Sequence, residues 1–182
     1  MIRRKTTKEI LGESIQELAK QKPVDKVTIK EIVENCCLSP ATFYRHFQDK
    51  YELIAWIYNY QMEDIFLDYC TGAENWFQAL LDMVNILDGG RDFYRNALNN
   101  TRGESSFFWA THTRSIELLT SAIAVQAGDA AGEELLFDAK FYLRGVSVTV
   151  TDWFLNDSPT SVEQLISGMY RAMPESLKPY LR

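Results

Sequence analysis

The sequence predicts an all-α protein of about nine helices, an N-terminal three-helix helix-turn-helix head followed by a helical body. Three observations predict it. Apolar residues recur at three- and four-residue steps in most segments, as in Ile10, Leu11, Ile15, Leu18 and Ala19. Helix-start residues stand at regular intervals, the clearest being Thr28 followed by Glu31, a capping box. Between Leu38 and Lys50 a serine and a proline open a short segment with one aromatic side, the second of two short helices joined by a turn.

In chain order, Ile2-Arg3-Arg4-Lys5 is a short basic arm. A first helix is capped near Thr6 or Thr7 and ends at Gln21-Lys22-Pro23, because the residue before proline is pushed out of the helical region. The second helix begins at the Thr28 capping box, turns Ile29, Ile32 and Val33 inward and stops near Cys36. Cys36-Cys37-Leu38 is the turn, with the two thiols expected to be a buried pair. Ser39 is an N-cap with Pro40 at the first helical position. On a helical wheel Phe43 and Phe47 fall together, while Ala41, Thr42, Arg45 and His46 lie elsewhere. So short a helix cannot hold itself in water. Its aromatic side must be anchored in a core, which leaves the other side to meet a partner.

The motifs T-I-K-E-I-V and L-S-P-A-T-F-Y-R-H-F-Q-D-K-Y-E-L-I resemble the DNA-binding head of TetR/AcrR bacterial regulators over residues 6–60. The resemblance implies a third helix that reads the major groove and a fourth that leads to a ligand-binding body. It implies phosphate contacts from Thr28, Tyr44, His46 and Lys50, and an approach to base edges by Ser39, Ala41, Thr42 and Arg45. Chemistry agrees. Arg45 can make two parallel bonds to a guanine edge, worth about 1–3 kcal/mol of discrimination. Helix starts at Thr28 and Lys50 suit an anion. The arm Arg3, Arg4 and Lys5 can reach a neighbouring minor groove. Cys37 departs from the family, which most often has glycine there, a residue suited to φ > 0.

The expected domains are 1–50, reading DNA, and 51–182, for effector binding and dimerisation. A long helix runs from Asp49 to about Tyr69, and another from Glu74 to Leu87, closed by Gly89-Gly90. A short helix spans Asp92 to Leu98, and Ser105 caps one reaching about Ala127. Val146 to Thr151 alternates like a strand, but its flanks are helical and no turn residue intervenes. Gly132 to Asn156 therefore reads as one helix. Thr160 or Ser161 starts a last helix through Ala172, and Pro174 and Pro179 mark an irregular tail. The tail S-V-E-Q-L-I-S-G-M-Y-R-A-M-P-E-S-L-K-P-Y-L is similar to a branch of the family that includes activators of dihydroxyacetone-kinase operons.

In the family the last two helices pair with their twins, which implies a homodimer. The stripe Phe141, Leu143, Val148, Val150, Leu165, Ile166 and Met169 is expected to supply part of that interface. Trp76, Phe93, Tyr94, Phe108, Trp109 and Tyr142 are candidates for lining an effector cavity.

Charge fits a head that meets a polyanion. Residues 1–50 carry 10 Lys+Arg against 7 Asp+Glu, and the remainder 9 against 18, within an overall −6. The three cysteines make no disulfide framework. There is no charged-then-apolar leader and no run able to span a bilayer, so a cytoplasmic protein without membrane contact is expected. No phosphate-cradling loop, nucleophile elbow or metal-spaced cysteines occur. No enzymatic role, cofactor or metal is therefore expected. The expected function is a dimeric transcription regulator, more often a repressor than an activator, that binds double-stranded DNA and answers a small molecule or partner protein. The alternative is a dimeric scaffold whose head no longer reads DNA.

Overall fold

The computed structural model describes residues 4–71 and 75–181. Arg3 of the basic arm and the expected helix start at Glu74 lie outside the described residues. The described residues form nine α-helices and no strand. They are α1 (Thr7–Ala19), α2 (Ile29–Asn35), α3 (Pro40–Tyr44), α4 (Lys50–Thr71), α5 (Trp76–Gly89), α6 (Arg91–Asn100), α7 (Phe107–Ala127), α8 (Glu133–Leu155) and α9 (Val162–Arg171).

Contacts divide the chain into two compact units, 1–60 with 90–111, and 61–89 with 112–182. This differs from the division at residue 50: the first eleven residues of α4, α6 and the start of α7 cluster with the head. The difference is physical, because residues distant in sequence complete the head's core. Two helices, α4 and α7, run from one unit into the other.

In the first unit, caps set the helix starts. Thr6 and Thr28 both form full capping boxes, with Glu9 and Glu31. The Ser14 hydroxyl donates to the Ile32 carbonyl at 2.7 Å and holds α1 to α2. Where α1 meets α4, a Cβ on Gly12 would lie 3.3 Å from the Ile57 side chain, which would have to give by a few tenths of an ångström. Asn96 of α6 ties this helix to the head: its Nδ2 donates to the Ala19 and Lys22 carbonyls at 2.9 and 3.0 Å, and its Oδ1 accepts from Val24 N–H at 3.0 Å. Tyr94 stacks on Phe107 at 5.5 Å and meets Tyr58 edge-on at 5.7 Å. Burial raises the pKa of both tyrosines.

In the second unit, Trp76 is fully buried between Phe66 and Tyr69. Its indole N–H donates to the Tyr142 hydroxyl at 3.4 Å, which donates to the Met169 carbonyl at 3.0 Å. One buried chain of polar groups thus joins α5, α8 and α9, each donor satisfied. The tail after α9 is irregular but packed: Met173, Leu177 and Leu181 are buried, and the Tyr69 hydroxyl donates to the Tyr180 carbonyl.

The strand-like run Val146–Thr151 is helical within α8, as its flanks required. Some starts and ends differ from expectation, those of α6 and α7 among them. α7 is capped by Ser106, whose Oγ accepts from Trp109 N–H at 3.3 Å, and not by Ser105. α6 runs two residues past Leu98, because Asn100 donates to both the carbonyl and the side chain of Asn96.

Candidate nucleic-acid interface

The turn before α3 is a Schellman motif. Leu38 N–H donates to the Val33 carbonyl at 2.8 Å and Cys37 N–H to the Glu34 carbonyl at 3.2 Å. This geometry requires a left-handed residue between them, and Cys37 stands there with φ of 57°. A non-glycine residue at that φ is strained, as the departure from glycine implies. The two thiols do not form the expected buried pair. Cys37 is exposed, since a left-handed C′ residue points its side chain outward, and Cys36 is half-buried with its thiol on the Ile32 carbonyl at 3.2 Å. Burial pushes the Cys36 thiol pKa up.

Helix α3 spans only five residues. Ser39 caps it, its Oγ accepting from Thr42 N–H at 3.1 Å and lying 3.0 Å from the Thr42 hydroxyl. Phe43 is fully buried and Phe47 nearly so, their rings 5.9 Å apart. Phe47 continues into Trp56 at 5.8 Å, and the Lys8 ammonium sits over both rings at 5.4 and 5.7 Å. The aromatic anchor read from the wheel therefore exists, and α4 completes it.

On the other side Ser39, Ala41, Tyr44 and Arg45 are exposed, while Thr42 and His46 are half-buried. Tyr44 keeps an edge contact with Phe43 yet is 59% exposed. The structure thus brings six expected site residues onto one short segment. Thr28, Arg4, Lys5 and Lys50 stand apart from it in sequence, and most of these are already engaged. The Thr28 hydroxyl and N–H serve the capping box with Glu31. Lys5 pairs with Glu13 at 2.7 Å, and Arg4 is exposed. The Lys50 ammonium donates to the Asp25 and Val27 carbonyls at 2.6 and 2.7 Å, closing the turn before α2. Burial pulls its pKa below the ordinary lysine value, against the opposing pull of Asp25. Two of its three donors are committed inside the head.

Sequence reasoning missed Asn96. Trp76, Phe93, Tyr94 and Tyr142 are core residues, and Trp109 is largely exposed. A cavity of about 460 Å³ in the second unit is lined by Phe66, Leu67, Leu118, Ala122 and Val125, with Glu63 and Arg114 among its polar residues. The available signal was Leu67 and Val125, apolar residues out of step with the buried stripes of their helices.

Bacterial regulatory proteins of the tetR family match residues 13–57, and the family described as transcriptional regulator C-terminal region matches residues 74–175. The chain belongs to the TetR family. Similar to this TetR-family chain is the HTH-type dhaKLM operon transcriptional activator DhaS of Lactococcus lactis subsp. lactis (strain IL1403), 22% identical over 102 residues, which are 56% of this chain and 54% of that protein. The match spans about half the length of that curated relative. Two solved structures share the fold. The dihydroxyacetone kinase operon activator DhaS has a TM-score of 0.64 at 18% identity, covering 97% of this chain and 98% of that one. A TetR transcriptional regulator from Rhodococcus sp. RHA1 has 0.66 at 17%, covering 93% and 94%.

Proposed function

We propose that this TetR-family chain is a cytoplasmic transcription regulator that reads a near-palindromic operator as a homodimer and changes affinity when an effector binds its second unit. The observation that carries the DNA reading is α3: Phe43 and Phe47 hold it from below while Ser39, Ala41, Tyr44 and Arg45 face outward. Arg45 addresses a base edge, Tyr44 and His46 take phosphates, and Arg4 reaches a neighbouring minor groove. Lys50 acts first as a strut, holding the turn before α2 in place through its two carbonyl bonds.

Dimerisation is supported by α8. Of the seven stripe residues, Leu143, Val150, Leu165, Ile166 and Met169 are buried within the monomer, while Phe141 and Val148 remain 69% and 48% exposed. Phe137, 66% exposed, stacks on Phe141 at 6.2 Å and extends the same side of α8. A twofold dimer places two reading helices about one DNA turn apart.

The test is a gel shift with duplex from the gene's own upstream region, at increasing salt. Selective retardation of that duplex over a shuffled one at physiological salt is expected, with affinity that falls as salt rises. Equal retardation of both duplexes would leave a scaffold and not an operator reader.

A further inference from the structure

The cavity of the second unit carries an unusual charge setting. Its wall is apolar, formed by Phe66 and Leu67 of α4 and by Leu118, Ala122 and Val125 of α7. Leu67 and Val125 are 60% and 84% exposed, so the wall continues to the mouth. Glu63 and Arg114 also line it. Arg114 is shared between two carboxylates, donating to Glu63 at 2.7 Å across the helices and to Glu117 at 3.4 Å along its own helix. Two carboxylates, Glu63 of the lining and Glu117 beside it, thus share the one Lys or Arg that lines the cavity, Arg114.

The geometry points to a hydrophobic cation as the ligand: an apolar body of aromatic or branched carbon with one positive charge that takes Glu63 from Arg114. The volume is within the range of small-molecule sites. The sign follows from the sharing. When a ligand cation claims Glu63, Arg114 keeps Glu117 and neither charge is stranded; a ligand anion on Arg114 would leave two carboxylates facing an unneutralised site. This names the effector class for the regulator reading above and rests on it for its consequence. Capture of Glu63 breaks the Arg114 tie between α4 and α7, both of which begin in the head's unit.

Tetraphenylphosphonium and tetraphenylborate, ions of one shape and opposite charge, make the test. Calorimetry on the full chain should show one phosphonium bound per chain and the borate at least about tenfold weaker. Glu63→Gln should weaken the phosphonium about three- to tenfold. Val125→Arg, at an exposed position that folding tolerates, should weaken the phosphonium and strengthen the borate. Borate binding as tight as the phosphonium, phosphonium binding indifferent to both substitutions, or no phosphonium binding by folded protein would each overturn the assignment. The gel shift without any ligand tests the regulator reading separately, so either claim can fail alone.

Discussion

The Asn96 side chain donates to the Ala19 carbonyl at 2.9 Å, fastening a helix from mid-chain to the end of the first. The same amide takes the Lys22 carbonyl and the Val24 N–H, so three backbone groups at and just after the end of α1 find their partners in one side chain. The head is therefore not closed by its own first fifty residues.

Asn96→Ala should cost about 1–3 kcal/mol, because the Val24 N–H and two carbonyls lose their partner at a packed junction. Urea unfolding monitored by circular dichroism reads the loss. An unchanged midpoint would mean that water replaces the amide without penalty.

Cys37→Gly should stabilise the protein by about 0.5–1 kcal/mol. The substitution relieves a left-handed non-glycine residue, and the gain is reduced by glycine's greater freedom when unfolded. Cys37→Val should destabilise, since a β-branched residue resists φ of 57°. Thermal melts of the two variants should move in opposite directions.

Lys50→Ala should act on folding before it acts on DNA. Two charge-assisted bonds to the Asp25 and Val27 carbonyls are lost, at about 1.5–3 kcal/mol together with the desolvated turn they close. A variant with wild-type stability and a flattened salt dependence of DNA binding would instead make Lys50 chiefly a phosphate contact.

The Glu31 carboxyl is lowered from the ordinary 4.5 to about 2, first by its bond from Lys22 and then by the N–H and hydroxyl of Thr28. A carboxyl depressed on folding adds stability that is complete above pH 4.5 and disappears as pH falls to about 2. Glu31→Gln, which can still cap α2, should flatten the decline of the urea midpoint across that window. A decline identical to wild type would assign the acid sensitivity to other carboxylates.

Much of this was legible in the residues themselves. Thr28 with Glu31 and Ser39 with Pro40 are local signals, and each starts the helix it should, while of Thr160 and Ser161 it is Ser161 that caps the last helix. The Phe43–Phe47 pairing follows from helical spacing alone. The missed features depend on partners far away in the chain. Asn96 is an ordinary polar residue until Ala19, Lys22 and Val24 surround it. The choice between Ser105 and Ser106 turns on which hydroxyl faces Trp109 N–H, which one-dimensional spacing does not encode. Large apolar rings at regular spacing are what a core consumes first, and Trp76 and Tyr94 are core residues.

The most direct measurement of the central claim is selection of duplexes from a random pool by wild-type protein and by Arg45→Ala. Wild type should enrich a near-palindrome with half-sites about one helical turn apart, and Arg45→Ala should lose the preference at one base of each half-site, at about 1–3 kcal/mol, while keeping the spacing. No enrichment by wild type, or the same motif from both proteins, would contradict a reading helix built on α3.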